Sequence, residues 1–348
     1  MGELPGKTMS HGGSEPARRV PSLPAAVARR IGTGALTLLL VTWVVFALCL
    51  LVPGDAVSVE GGADSLGRRL PPERVAELRA LYHLDESLLR QYGLWLRDVA
   101  RGDLGRSFYD RRPVVQKLSE RLGITLTLNL LSLALAVGLA VPLGAAAAWR
   151  PGSRVDRVAG VVTYALYAVP VFWAGLLLQL TFSVRLDWLP LFGLQSPGAR
   201  DLGALHGLVD QAAHLVLPVV CLSYGGLAYL SRFVRATLVE SLHGDAVRAA
   251  RARGLPVRRV LFGHAFRQAA VPMLTLAGFL IPGLLGGSVI VETVFALPGL
   301  GTLFVDAVFQ RDIPVIMGMT LLSGMATLGG IVFADLAYAA FDPRIRRG

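Results

Sequence analysis

Six stretches of the chain carry no Asp, Glu, Lys or Arg: residues 31–54, 122–149, 158–184, 211–231, 268–291 and 313–334, each more than 18 residues long. A hydrocarbon layer about 30 Å thick is crossed by about 20 apolar residues of α-helix. Each run therefore predicts one spanning helix, and an even number of crossings leaves both termini on one side. Two other apolar runs, 188–199 and 293–305, are too short to cross.

The segments between the runs predict shorter elements. Pro71-Pro72, then Glu73 and Glu77, with Val75, Leu78, Leu81 and Leu84 at helical spacing, predict an amphipathic helix that starts at a proline. A second helix is expected over 88–100, a turn at Gly102-Asp103-Leu104-Gly105, and a stretch from Val114 to Leu122 lying along the membrane interface. The first apolar run is longer than the h-region of a secretory signal and no small-residue cleavage site follows it, so it is expected to be retained. The predicted organisation is a disordered cytoplasmic tail (1–28), a first transmembrane helix (29–54), an extracytoplasmic helical segment (55–121), a five-helix core (122–340) with a cytoplasmic loop at 236–268, and a cytoplasmic tail (341–348).

Composition supports lipid as the solvent: 53% of residues are hydrophobic, 17% are charged and the mean hydropathy is +0.56. A net charge of +10 could mark a nucleic-acid surface, but its distribution argues otherwise. Nineteen of the Lys and Arg residues flank one side of the predicted spans, against Arg185, Arg200 and Arg311 in the short loops of the other side. Such an imbalance places both termini in the cytoplasm. Cys49 and Cys221 sit within apolar runs and read as buried free thiols.

The fifth run is rich in helix-loosening residues. Pro282, Gly283, Gly286, Gly287 and the following Ser288 are candidates for a pore-lining helix that flexes, and the small-xxx-small spacing of Gly283 and Gly287 equally suits close helix packing.

The loop between the fourth and fifth runs has the clearest local logic. Asp245 is expected as an N-cap, Ala249, Ala250 and Ala252 favour helix, Gly254 stands where a C′ residue belongs, and Pro256 forbids continuation. The result is a helix of about two turns over 246–253, followed by a second helical stretch over 257–267. A short alanine-rich helix suits a groove on another protein, although a solvated basic loop near anionic headgroups has the same spacing.

Arg248-Ala249-Ala250-x-x-x-Gly254 resembles the Glu-Ala-Ala-x-x-x-Gly loop of permease subunits of bacterial ATP-binding-cassette importers. Further stretches resemble the peptide and nickel branch of those permeases: Leu51 to Asp55, Gly102 to Ser107, Glu292 to Phe295 with Pro298 to Gly301, Arg311 to Val315, and Asp342 to Arg346. The likeness implies an all-α membrane protein with six transmembrane helices, the type I importer permease (MetI-like) fold. By the same resemblance, Asp245, Arg248, Ala249, Ala250, Gly254 and Leu255 would form a coupling helix docked on a cassette ATPase. The implied partners are a second homologous permease, two ATPase subunits, an extracytoplasmic substrate-binding protein and membrane lipid, in the bacterial inner membrane, with no nucleic acid. Arg248 stands where the general motif has Glu, and His264-Ala265-Phe266-Arg267 where it has apolar-x-Leu-Pro, which leaves individual contacts open.

The chain carries no energy source of its own. Gly2-x-x-x-Gly6-Lys7-Thr8 is one residue short of a phosphate loop and follows no strand. Asn129, Gln179 and His214 are the candidates for buried polar groups within the spans, and Glu292 is expected at a span boundary. No metal or cofactor site and no enzyme motif is evident. Di- or oligopeptides are the expected substrate. The alternatives are a nickel or glutathione-type importer and a stand-alone gradient-driven carrier or channel.

Overall fold

The computed structural model describes residues 23–51, 86–199, 201, 203–256, 259–266, 269, 273 and 288–341. Regular structure among them is helical, apart from one isolated bridge between Arg106 and Pro113. The helices are α1 (Leu23–Leu51), α2 (Leu88–Val99), α3 (Val114–Trp149), α4 (Arg154–Ala168), α5 (Val171–Leu178), α6 (Ala204–Leu242), α7 (Asp245–Ala252), α8 (Val289–Val294), α9 (Leu300–Phe309) and α10 (Ile313–Phe341). A π-helical turn, Gln179–Arg185, continues α5, and another, Val260–Ala265, follows α7.

Among the described residues, four helices are long and apolar enough to cross a membrane: Ala28–Leu51, Val114–Trp149, Ala204–Leu242 and Ile313–Phe333. A fifth crossing would be the pair Arg154–Ala168 and Val171–Arg185, which is bent by 97°. Most of the expected fifth run, including Pro282, Gly283, Gly286 and Gly287, lies outside the described residues, as do 1–22, the predicted helix at 71–84 and the tail from 342.

Several expected boundaries change. The first helix begins at Leu23, ahead of Arg29 and Arg30. The helix of the second span, α3, runs unbroken from Val114 and so crosses the expected boundary at 121. The run over 158–184 is two helices rather than one. Pro170 lacks an N–H and biases its predecessor away from helix, and Val169 accordingly has φ −78° and ψ 124°. Two groups on α6 compensate the carbonyls at the break: Tyr224 donates its hydroxyl to Val169 O at 2.7 Å and Cys221 its thiol to Val171 O at 3.4 Å.

Small residues decide where helices meet. At the crossing of α3 and α6, a Cβ on Gly144 would lie 2.5 Å from Ser231 O and 2.8 Å from Val234 Cβ. Ala136, Ala140 and Leu230 pack on one side of that crossing, and Ala148, Val234 and Leu238 on the other. The pair α1 and α10 is antiparallel, with Leu328 seated on Gly34 and Leu38 seated on Gly324. On α2, Tyr92 lies against Trp43, and its hydroxyl bonds Thr42 Oγ1 at 2.8 Å and Leu39 O at 3.0 Å, which attaches this helix to α1.

Gly144→Leu is expected to destabilise the protein by about 3 kcal/mol, since neither the Ser231 backbone nor Val234 can withdraw without separating the helices. Gly138→Ala, on the same helix with open space around it, should instead add about 0.5–1 kcal/mol. Thermal unfolding of the detergent-solubilised protein checks both, and equal midpoints for the two variants would refute the close crossing.

Candidate functional site

The loop that follows α6 folds on a small core of its own. Val247 and Ala250 of α7 are buried against Val260 and Ala265 of the π turn, with Leu242 and Leu255 at the edge. Gly244, extended at φ −69° and ψ 155°, is the N-cap. Asp245, expected there, is instead the first helical residue, where its charge favours the positive end of the helix and it pairs with Arg248. The helix ends in a Schellman motif: Gly254 N–H donates to Arg251 O at 2.9 Å and Leu255 N–H to Ala250 O at 3.3 Å. This requires the φ of +74° at Gly254, which only glycine adopts without strain.

The loop therefore separates the two motif alanines. Ala250 faces inward with Val247, while Asp245, Arg248, Ala249 and Ala252 form an exposed stripe at helical spacing. Arg251, Arg253 and Gly254 are exposed beside it. Of the candidate pore-lining residues, Ser288 is described: it is the N-cap of α8.

At the other end of the bundle, two buried carboxylates organise the remaining motifs. Glu292 is not at a polar boundary but fully buried. Its Oε2 accepts from Thr302 N–H at 2.9 Å, and its Oε1 from Ser288 N–H at 3.3 Å and from the Thr125 hydroxyl at 3.2 Å. Thr125 Oγ1 in turn accepts from Leu300 N–H at 2.8 Å. Two side chains from distant helices thus cap α9, whose first-turn N–H groups have no partner within the helix. A Cβ on Gly299 would lie 2.4 Å from Glu292 Cδ and one on Gly301 2.8 Å from Val289 N, so the glycines of Pro298-Gly-Leu-Gly301 make room for the carboxylate and the backbone of α8.

Asp312, also buried, precedes α10 and joins it to the loop before α3. It accepts from the Ser107 hydroxyl and from Phe108 N–H at 2.9 Å, and Lys117 Nζ lies 3.7 Å away. Lys117 also pairs with Asp110 at 3.0 Å. Burial alone would raise the Asp110 carboxyl, but hydrogen bonds from Lys117, Ser107 and Arg112 N–H outweigh it and hold the group below its ordinary range. The loop itself is shaped by Gly102 and Gly105, at φ +82° and +80°, where the turn was expected.

The polar residues inside the spans are hydrogen-bonded packing groups where their partners are on view. Gln179 Nε2 donates to Leu191 O at 2.9 Å and Val294 O at 3.1 Å, and His214 Nδ1 pairs with Asp210 O at 2.8 Å. Thr125, Ser107 and Lys117 were not legible from the sequence, because each acts on a residue far away in the chain.

Long apolar helices, a bent pair and a polar loop with its own core define a multi-pass membrane protein. The chain belongs to the binding-protein-dependent transport system inner membrane component family, whose model matches residues 140–347, and the companion N-terminal model of such membrane components matches residues 25–129. It is 37% identical to the oligopeptide transport system permease protein AppB of Bacillus subtilis, over 93% of this chain and 99% of that one. It is 36% identical to the di/tripeptide transport system permease protein DppB of Pseudomonas aeruginosa and 34% identical to the dipeptide transport system permease protein DppB of Escherichia coli, in each case over 92% of this chain and 98% of the relative. It is thus a permease component of a binding-protein-dependent transport system.

Asp312→Ala is expected to destabilise the protein by about 3–5 kcal/mol, because Lys117 and Phe108 N–H lose a buried acceptor. Ser107→Ala should cost about 1–2 kcal/mol, since the carboxylate keeps its other partners. Chemical unfolding in detergent measures both, and an Asp312→Ala midpoint within error of the parent would show that the cluster does not hold the loop to α10.

Proposed function

We propose that this chain is the transmembrane permease subunit of an ATP-driven importer and forms half of a translocation pathway for di- or oligopeptides. The peptide class is supported by the named systems of the three relatives, each alignable over nearly its whole length. A helix over 268–291 would complete six spans, and its Pro282, Gly283, Gly286, Gly287 and Ser288 would let it bend beside the pathway. Nineteen cations against three put both termini and the α7 loop in the cytoplasm. A second permease of the same kind would supply the other half, two cassette ATPases would bind from the cytoplasm, and an extracytoplasmic binding protein would deliver the peptide.

The observation that carries this reading is the construction of α7. A helix of eight residues is too short to be stable in water alone. The buried Val247 and Ala250, with Leu255 packed at the edge, hold it in place, leaving the stripe of Asp245, Arg248, Ala249 and Ala252 available to a groove on the ATPase. Closure of the ATPases around ATP would draw two such helices together and shift the permease between inward-open and outward-open states. Only a ligand that prefers one state can bias that equilibrium, which is the part assigned to the loaded binding protein.

The test separates docking from loop folding. Ala249→Arg, at an exposed position, should leave the chain stable and still paired with the second permease in gently solubilised membranes, while recovery of the ATPases falls at least tenfold. Ala250→Arg should instead unfold the loop core and lower thermal stability. Full recovery of ATPases with Ala249→Arg would sink the docking face. Recovery of the wild-type chain alone, with transport in liposomes lacking any ATPase, would move the gradient-driven reading to first place.

A further inference from the structure

Two arginines one turn apart on α6 have opposite surroundings. Arg235 is neutralised: its Nε and Nη2 meet the two carboxylate oxygens of Asp156 at 2.5 and 2.7 Å, and Asp156 also accepts from Gly152 N–H at 2.8 Å. Arg232 has no carboxylate within 4 Å among the described residues. Its guanidinium lies instead against two aromatic rings of α4, 5.3 Å from the centroid of Tyr164 and 5.2 Å from that of Tyr167.

The neighbouring ion pair fixes the level of this arrangement. Asp156 stands in the first turn of α4, and Tyr164 and Tyr167 lie about 12 and 16 Å farther along that helix. Side chains lean toward the N-terminus of their own helix, and α6 runs toward the basic loop, so Arg232 leans away from that loop and into the span. An arginine surrounded by lipid extends the other way, to the nearer headgroups. A cation drawn inward without a counter-charge is the arrangement found where a helix borders water inside a membrane protein. The two rings are 69% and 59% exposed in the single chain, so the face they form is left open by its own helices.

We propose that Arg232, steadied by Tyr164 and Tyr167, lines the translocation pathway and receives the carboxylate of the passing peptide. This assignment rests on the peptide-import reading above. A guanidinium matches a carboxylate with two parallel N–H donors, and the rings restrict its orientation without occupying its N–H groups. A terminal carboxylate is common to linear di- and oligopeptides with free C-termini, so one fixed cation would serve that class of substrate without reading side-chain sequence. Arg235, already paired with Asp156, would hold α4 and α6 together beneath it.

The experiment uses a chain with Cys49 and Cys221 replaced by Ala, carrying Arg232→Cys, co-purified with its partner subunits and reconstituted in proteoliposomes with the binding protein. Uptake of radiolabelled dialanine and the rate of reaction with membrane-impermeant cationic and anionic methanethiosulfonates are the readouts. Uptake should fall at least tenfold with subunit recovery unchanged. The cationic adduct should restore most of it and the anionic adduct none, and dialanine with the binding protein should slow the reaction at least threefold. Equal effects of the two adducts, an unreactive thiol, or a rate that follows the anionic lipid content and ignores dialanine would each overturn the assignment. A wild-type complex that assembles fully with its binding protein and imports neither dialanine nor a longer peptide would instead remove the peptide reading on which it rests.

Discussion

Backbone N–H groups at a helix start must find acceptors, and in an apolar layer water cannot supply them. Much of the architecture at one end of the bundle follows from that constraint. Helix α9 begins against α8 and α3, and its first N–H groups are met by Glu292 and Thr125. Such a cap requires the carboxylate to approach the backbone closely, which removes the Cβ from positions 299 and 301. The loop before α3 follows the same logic, with Asp312 taking the Phe108 N–H and the Ser107 hydroxyl. Short sequence motifs that look independent in the chain are thus halves of two polar contacts.

The opposite end is built for contact rather than capping. Gly144 lets the backbones of α3 and α6 touch, and α6 leads through Gly244 directly into α7. Because Leu242 at the end of α6 belongs to the same small core as Val247 and Ala250, a load applied to the exposed stripe is borne by packed side chains and not by a slack linker. The break between α4 and α5 is stabilised from the same helix, α6, by Tyr224 and Cys221.

The sequence was informative wherever a signal is local. Charge-free runs located α1, α3, α6 and α10, and Gly254 with Pro256 located the end of α7, because hydropathy and turn chemistry act within a few residues. Pro170 also carried its signal, yet the absence of charge over 158–184 concealed two helices within one apolar run. Continuity of α3 through Lys117 and Glu120 was missed for the converse reason, since charged residues there face Asp110, Asp312 and Arg112 rather than the lipid. Asp245 has cap chemistry, but Gly244 takes the extended conformation and leaves the aspartate inside the helix. Glu292 was misjudged because its partners lie at 125 and 302, and only the fold brings them together.

The burial of polar groups also separates what the fold needs from what it presents. Glu292, Asp312, Gln179 and the Arg235–Asp156 pair find their partners inside the chain, so their desolvation is compensated by hydrogen bonds made on folding. Arg232 and the outer stripe of α7 are held in position by their neighbours, yet Arg232 meets no carboxylate among the described residues and the Asp245–Arg248 pair of the stripe is exposed. Fixing a long cationic side chain costs rotamer entropy, and ring contacts with well-exposed tyrosines return only about 0.5–1 kcal/mol. An order imposed at net cost to the isolated chain is understandable when a second molecule completes the contact. On that criterion the peptide carboxylate proposed for Arg232 and the ATPase groove proposed for Ala249 would be parallel cases, one for the solute and one for the subunit that drives it.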